Sequence, residues 1–154
     1  MKKYTGLLVS CLVVAGSAFA GNPMVPDVGM ADPHIRIYND RAYLYSTHDA
    51  DPTSRQWRMP DWRIWSSDNL IDWKLEHTIQ PAETYIGKPS IRCWATDMAE
   101  RDGRYYFYFS NGNKDTGVLR ADHPAGPFED VLGKPLMDAS LTITKEYDPT
   151  VLVD

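Results

Sequence analysis

Two Asp-Pro steps open matching stretches of this chain: Ala31-Asp32-Pro33-His34-Ile35 and Tyr147-Asp148-Pro149-Thr150-Val151. Proline fixes its own φ and drives the residue before it toward extended backbone, so each aspartate is expected in an extended conformation at the mouth of a strand. Two carboxylates brought to one cavity are the apparatus of general acid–base hydrolysis, and glycosidic bonds are cleaved by such sets. Asp-Pro is also an ordinary turn dipeptide. Asp51-Pro52 reads that way, because it lies in a polar loop with no strand after it.

The elements that would position these acids are strands. Alternation and β-forming residues predict strands over 34–38, 42–47, 62–67, 73–79, 94–99, 105–109, 117–121 and 128–131. Asn39-Asp40 and Asp102-Gly103 carry the signature of two-residue hairpin turns. The stretch from Asp40 to Ser46 corresponds to that from Asp102 to Ser110. Each unit holds four short strands, and no segment has a helical period with caps, which is the pattern of a propeller blade. The run Tyr105-Tyr106-Phe107-Tyr108-Phe109 predicts a strand covered on both faces, as in a blade packed between neighbours. The competing architecture is a two-layer β-sandwich. In a propeller, the innermost strand of each blade lines a central channel, so acids far apart in sequence converge on one axial pocket.

The first twenty residues stand apart. Lys2 and Lys3, an apolar run from Leu7 to Val14, and Ala18-Phe19-Ala20 form a secretory signal peptide with cleavage expected after Ala20. The apolar run is too short for a membrane span. Leu8-Val9-Ser10-Cys11 also resembles a lipoprotein box, which would make Cys11 a lipid anchor. The domain is therefore residues 21–154, in a secreted or periplasmic setting.

The whole chain carries a net charge of −5, and loss of both N-terminal lysines makes it more acidic. Nucleic acid is a poor partner for such a surface, since phosphate contacts need basic patches. Neutral sugars suit it, and five Trp with nine Tyr offer flat rings for sugar C–H faces. Cleavage would leave Cys93 as the one cysteine, too few for an internal disulfide. No Cys/His cluster has structural zinc spacing, and no cofactor is expected.

The segment Gly29-Met30-Ala31-Asp32-Pro33-His34-Ile35 resembles the opening motif of glycoside hydrolase family 43. Cys93-Trp94-Ala95-Thr96-Asp97, with the hairpin from Gly103 to Ser110, is similar to that family's second-blade segment. Tyr147 to Asp154 is similar to its third-blade Asp-Pro-Ser/Thr segment. The resemblance implies an all-β fold of the five-bladed β-propeller family, with this chain covering two blades and the first strand of a third. It implies Asp32 as general base and Asp148 as the residue that orients the acid and tunes its pKa. It also implies inverting hydrolysis of arabinofuranosyl or xylosyl units in a glycan. Trp94 and His34 are the candidate substrate-binding residues.

Two departures stand out. Trp-Ala-Thr replaces the family's usual Trp-Ala-Pro, and the family's general acid is a glutamate in a later blade. Glu76, Glu83, Glu100, Glu129 and Glu146 lack its motif, so the acid role passes to none of them. The chain is thus expected to stop before the acid, with blade edges left bare. A non-catalytic carbohydrate-binding propeller fragment is the alternative reading. His48, Asp49 and Trp57 are further residues able to rim a pocket, and Asp97 reads as structural.

Overall fold

The structure is a computed structural model that describes residues 24–141 and 143–153, so the expected signal peptide and Cys11 lie outside the described residues. It is all-β apart from one 3-10 turn. The first sheet is an antiparallel meander in the order β1 (Met30–Tyr38), β2 (Arg41–His48), β3 (Trp62–Ser67) and β4 (Lys74–Ile79). The second holds β5 (Cys93–Arg101), β6 (Arg104–Asn111) and β7 (Thr116–Ala121). Between them, Pro81–Glu83 makes the 3-10 turn, whose entry is held by Gln80 N–H donating to Glu83 Oε2 at 3.0 Å. Among the described residues no helix is long and apolar enough to cross a membrane.

The hairpin turns form where their residue types require. Asn39 and Asp40 both have positive φ (50° and 61°), as do Asp102 and Gly103 (54° and 70°). Two successive positive φ values are the mark of the type I′ turn, whose twist matches that of the strands it joins.

The core lies between the two sheets. Tyr43, Tyr45, Trp62 and Ile64 of the first sheet meet Met98, Phe107, Phe109 and Leu119 of the second. Trp62 and Phe109 pack with ring centroids 4.6 Å apart. Each fully buried side chain of this size contributes roughly 1.5–3 kcal/mol. Two polar ends in this core are paired: Tyr45 O–H donates to the Pro124 carbonyl at 2.8 Å, and Trp62 Nε1–H to the Trp94 carbonyl at 2.8 Å.

Three expectations need correction. The second sheet has three strands, not four: Glu129 forms a single bridge with Arg120. The ladder ends there because the Asp130 carboxylate turns the chain, accepting from Leu132 and Gly133 N–H at 3.1 and 2.7 Å. The aromatic strand β6 is fully covered on one face only. Phe107 and Phe109 are buried against the first sheet, whereas Tyr106 and Tyr108 on the other face are half-buried. Finally, residues 147–153 are not a strand. Their backbone donors go to side chains of the second sheet: Asp148 N–H to Ser110 Oγ at 2.8 Å and Val151 N–H to Asp97 Oδ2 at 2.8 Å.

Candidate active site

The first strands of both sheets carry a β-bulge near their leading ends. In β1, Ala31 pairs with Thr47 and His34 with Tyr45, so β1 has one residue more than its partner. In β5, Trp94 pairs with Ser110 and Thr96 with Phe109, leaving Ala95 as the extra residue. Bulges bend a strand and re-aim side chains, and here they sit beside one cavity.

That cavity, about 590 Å³, is lined by Asp32, Asp49, Trp57, Trp94, Tyr147 and Asp148, with Ala31, Met59, Asn113 and Lys145 completing the wall. Asp32 and Asp148, 116 positions apart in the chain, thus face one space.

Their backbone differs from expectation. Asp32 has φ +49° and Asp148 φ +55°, left-handed rather than extended. The bulge accounts for Asp32: the extra residue must turn the chain, and aspartate is among the few non-glycine residues that accept this region. At Asp148 the turn is held by its own N–H, tied to the buried Ser110 hydroxyl.

The electrostatics of the pair are coupled. Burial raises the Asp32 carboxyl above the usual carboxylate range, the Asp148 charge raises it further, and His34 partly offsets both. A carboxylate with raised proton affinity is suited to taking a proton from water.

Trp94 is placed by its bulge. Its carbonyl accepts from Trp62, and the preceding Cys93 carbonyl accepts from the Thr47 hydroxyl. His34 does not line the cavity; its Nδ1 is buried without a hydrogen-bond partner. His48 is also absent from the wall, because Asp61 holds its Nδ1 at 3.0 Å. Asp61 is fixed in turn by Arg63 Nε at 3.1 Å. Asp49 does line the cavity, its N–H donating to the Gly29 carbonyl at 3.0 Å. Only glycine fits at position 29, since a Cβ there would lie 2.1 Å from the Asp49 carbonyl oxygen.

Asp97 is structural. Its carboxylate is fully buried and accepts from Arg36 Nη2 of β1 at 2.5 Å, from Met98 N–H at 2.7 Å and from Val151 N–H at 2.8 Å. It therefore joins the first sheet, the second sheet and the segment carrying Asp148.

No glutamate lines the cavity. Among the described residues no group of three or more His, Cys, Asp or Glu side chains is arranged to hold a metal ion. Met59, Asn113, Lys145 and Tyr147 were not candidates from sequence. Asn113 had a topological signal: β6 runs back along β5, so the turn after Ser110 must sit beside its partner Trp94.

Comparison with known proteins places this arrangement. The model of glycosyl hydrolases family 43 matches residues 20–154. An arabinoxylan arabinofuranohydrolase from Paenibacillus polymyxa is 30% identical, over 86% of this chain and 25% of that protein. Xylosidase/arabinosidase 43A from Humicola insolens is 30% identical, over 69% of this chain and 36% of that protein. The structure of a GH43_1 enzyme from Xanthomonas citri complexed with xylose superposes with a TM-score of 0.69 at 27% identity, over 86% of this chain and 39% of that one. The chain thus spans well under half the length of these relatives. With a family match covering nearly all of the sequence, the chain belongs to glycosyl hydrolase family 43.

Proposed function

We propose that this chain carries the general-base side of a glycosidase active site, acting on O-glycosidic bonds of arabinofuranosyl or xylosyl units in a glycan. The observation that carries this reading is the shared cavity of Asp32 and Asp148, with the proton affinity of Asp32 raised by burial and by its partner's charge. The relatives named for arabinoxylan, xylosidase and arabinosidase activities support the substrate class.

In the proposed inverting mechanism Asp32 removes a proton from the water that attacks the anomeric carbon. A glutamate outside this cavity wall protonates the leaving oxygen, and Asp148 orients it and adjusts its proton affinity. Base and acid then stand about 6.5–9.5 Å apart, leaving room for the water. The two sheets are the first two blades of a five-bladed propeller, and 147–153 leads into the third. Export through the N-terminal segment, with Cys11 as an alternative lipid anchor, fits a family match that begins at residue 20.

The test is Asp32→Asn in the complete protein, assayed on aryl arabinofuranosides and xylosides. Turnover is expected to fall by roughly 10²–10⁴-fold, the usual worth of general acid–base assistance, with sugar binding kept. Near-normal turnover would remove Asp32 as the base.

A further inference from the structure

Besides Trp94 and Tyr147, the cavity wall holds a third aromatic side chain, Trp57, that base chemistry does not require. Trp57 is 66% exposed, an unusual state for a large indole beside a well-formed core. Its loop is not loose. Ala50 N–H donates to the Arg58 carbonyl at 2.9 Å, closing the loop at its neck. Inside, Asp51 N–H bonds to Asp49 Oδ1 at 3.0 Å, Ser54 N–H to the Asp51 carbonyl at 2.9 Å, and Gln56 N–H to Ser54 Oγ at 3.0 Å. Below it, buried Met59 is stitched to the second sheet: its N–H donates to the Ile91 carbonyl at 3.0 Å, and its carbonyl accepts from Cys93 N–H at 2.9 Å. The structure therefore spends several hydrogen bonds on holding an apolar ring in water at the edge of the site.

Trp57 meets Trp94 edge to face, with centroids 5.6 Å apart and planes at 74°. Both rings line the same cavity, Trp94 backed by the core and Trp57 reaching into solvent. Two indoles nearly at right angles cannot both stack on one sugar ring. They can stack on two successive rings whose planes turn relative to one another. A monosaccharide held at the carboxylates needs only the Trp94 wall.

We infer that Trp57 is a specificity-determining platform for a second glycosyl unit, so that the site selects oligosaccharides over single sugars. This rests on the glycosidase reading above. The contact is apolar and carries no charge, so it discriminates by ring stacking and not by hydroxyl pattern.

The experiment measures calorimetric binding of xylose and xylotriose to the complete protein carrying Asp32→Asn, which slows turnover, with and without Trp57→Ala. Loss of one stacking face is expected to weaken xylotriose about tenfold while changing xylose less than about twofold. Trp57→Phe, which keeps a flat ring, is expected to restore xylotriose binding to within about threefold. Equal weakening of both sugars, no weakening of either, or a Phe variant no better than Ala would overturn the platform while leaving the glycosidase reading intact. Binding of neither sugar before Trp57 is touched would overturn the glycosidase reading and the platform with it.

Discussion

Asp97→Ala is the perturbation that most directly tests how the two sheets and the Asp148 segment are joined. The carboxylate is fully excluded from solvent and has three donors. Its removal leaves the Met98 and Val151 N–H groups without acceptors, at about 1–3 kcal/mol each. Arg36 loses the carboxylate but keeps its Nε–H bond to the Met98 carbonyl at 2.9 Å, and at 35% exposure it regains water. The two groups together cost about 2–6 kcal/mol. Arg36→Ala should cost a comparable amount, because it leaves the fully buried Asp97 carboxylate with two backbone donors and no counter-charge. Asp97→Asn should cost less than Asp97→Ala, since one oxygen still accepts while the amide nitrogen faces a donor. In urea unfolding with a slope near 2 kcal/mol/M, a loss of about 4 kcal/mol moves the midpoint down by about 2 M. Hydrogen exchange at the Val151 amide should accelerate in parallel. An Asp97→Ala midpoint within about 0.5 M of wild type would refute the three-way tie.

Two further predictions follow from named atoms. Replacing Asp148 with Asn removes the negative charge that raises the Asp32 proton affinity. Asp32 then ionises at lower pH, so the acid limb of the kcat/KM profile should move to lower pH; a limb that stays put or moves up refutes the coupling. Gly117→Ala would place a Cβ 2.3 Å from Phe109 Cζ and 2.7 Å from Tyr85 Cε1. Overpacking of this kind costs about 1–3 kcal/mol, read as a lower Tm, and an unchanged Tm would show that the two rings can yield.

Much of the scaffold was legible because it is local. The Asn39-Asp40 and Asp102-Gly103 turns need residues that tolerate positive φ, and such residues stand there. The alternation through Trp62 to Ser67 matches β3 end to end. The convergence of Asp32 and Asp148 on one cavity agrees with the matching Asp-Pro steps, although the segment carrying Asp148 is not a strand. The bulges were not legible, since nothing in Ala31-Asp32-Pro33 distinguishes an extra residue from a regular one; only the register against Thr47 and Tyr45 does. The left-handed aspartates were missed for the same reason: a pre-proline preference is a local energy of limited size, and tertiary anchors such as Ser110 Oγ outweigh it. Lys145 and Met59 reach the cavity through long-range placement that no spacing encodes.

The extra residue in β1 also separates two histories within one strand. Beyond it, Arg36 and Tyr38 face the second sheet, with Tyr38 edge-on to Tyr105 at 5.0 Å. Before it, the side-chain phase is reset: Asp32 turns to the cavity, while Ala31 lines the cavity and also packs against the core. Asp32 therefore answers to the cavity while the strand beyond it stays committed to the interior.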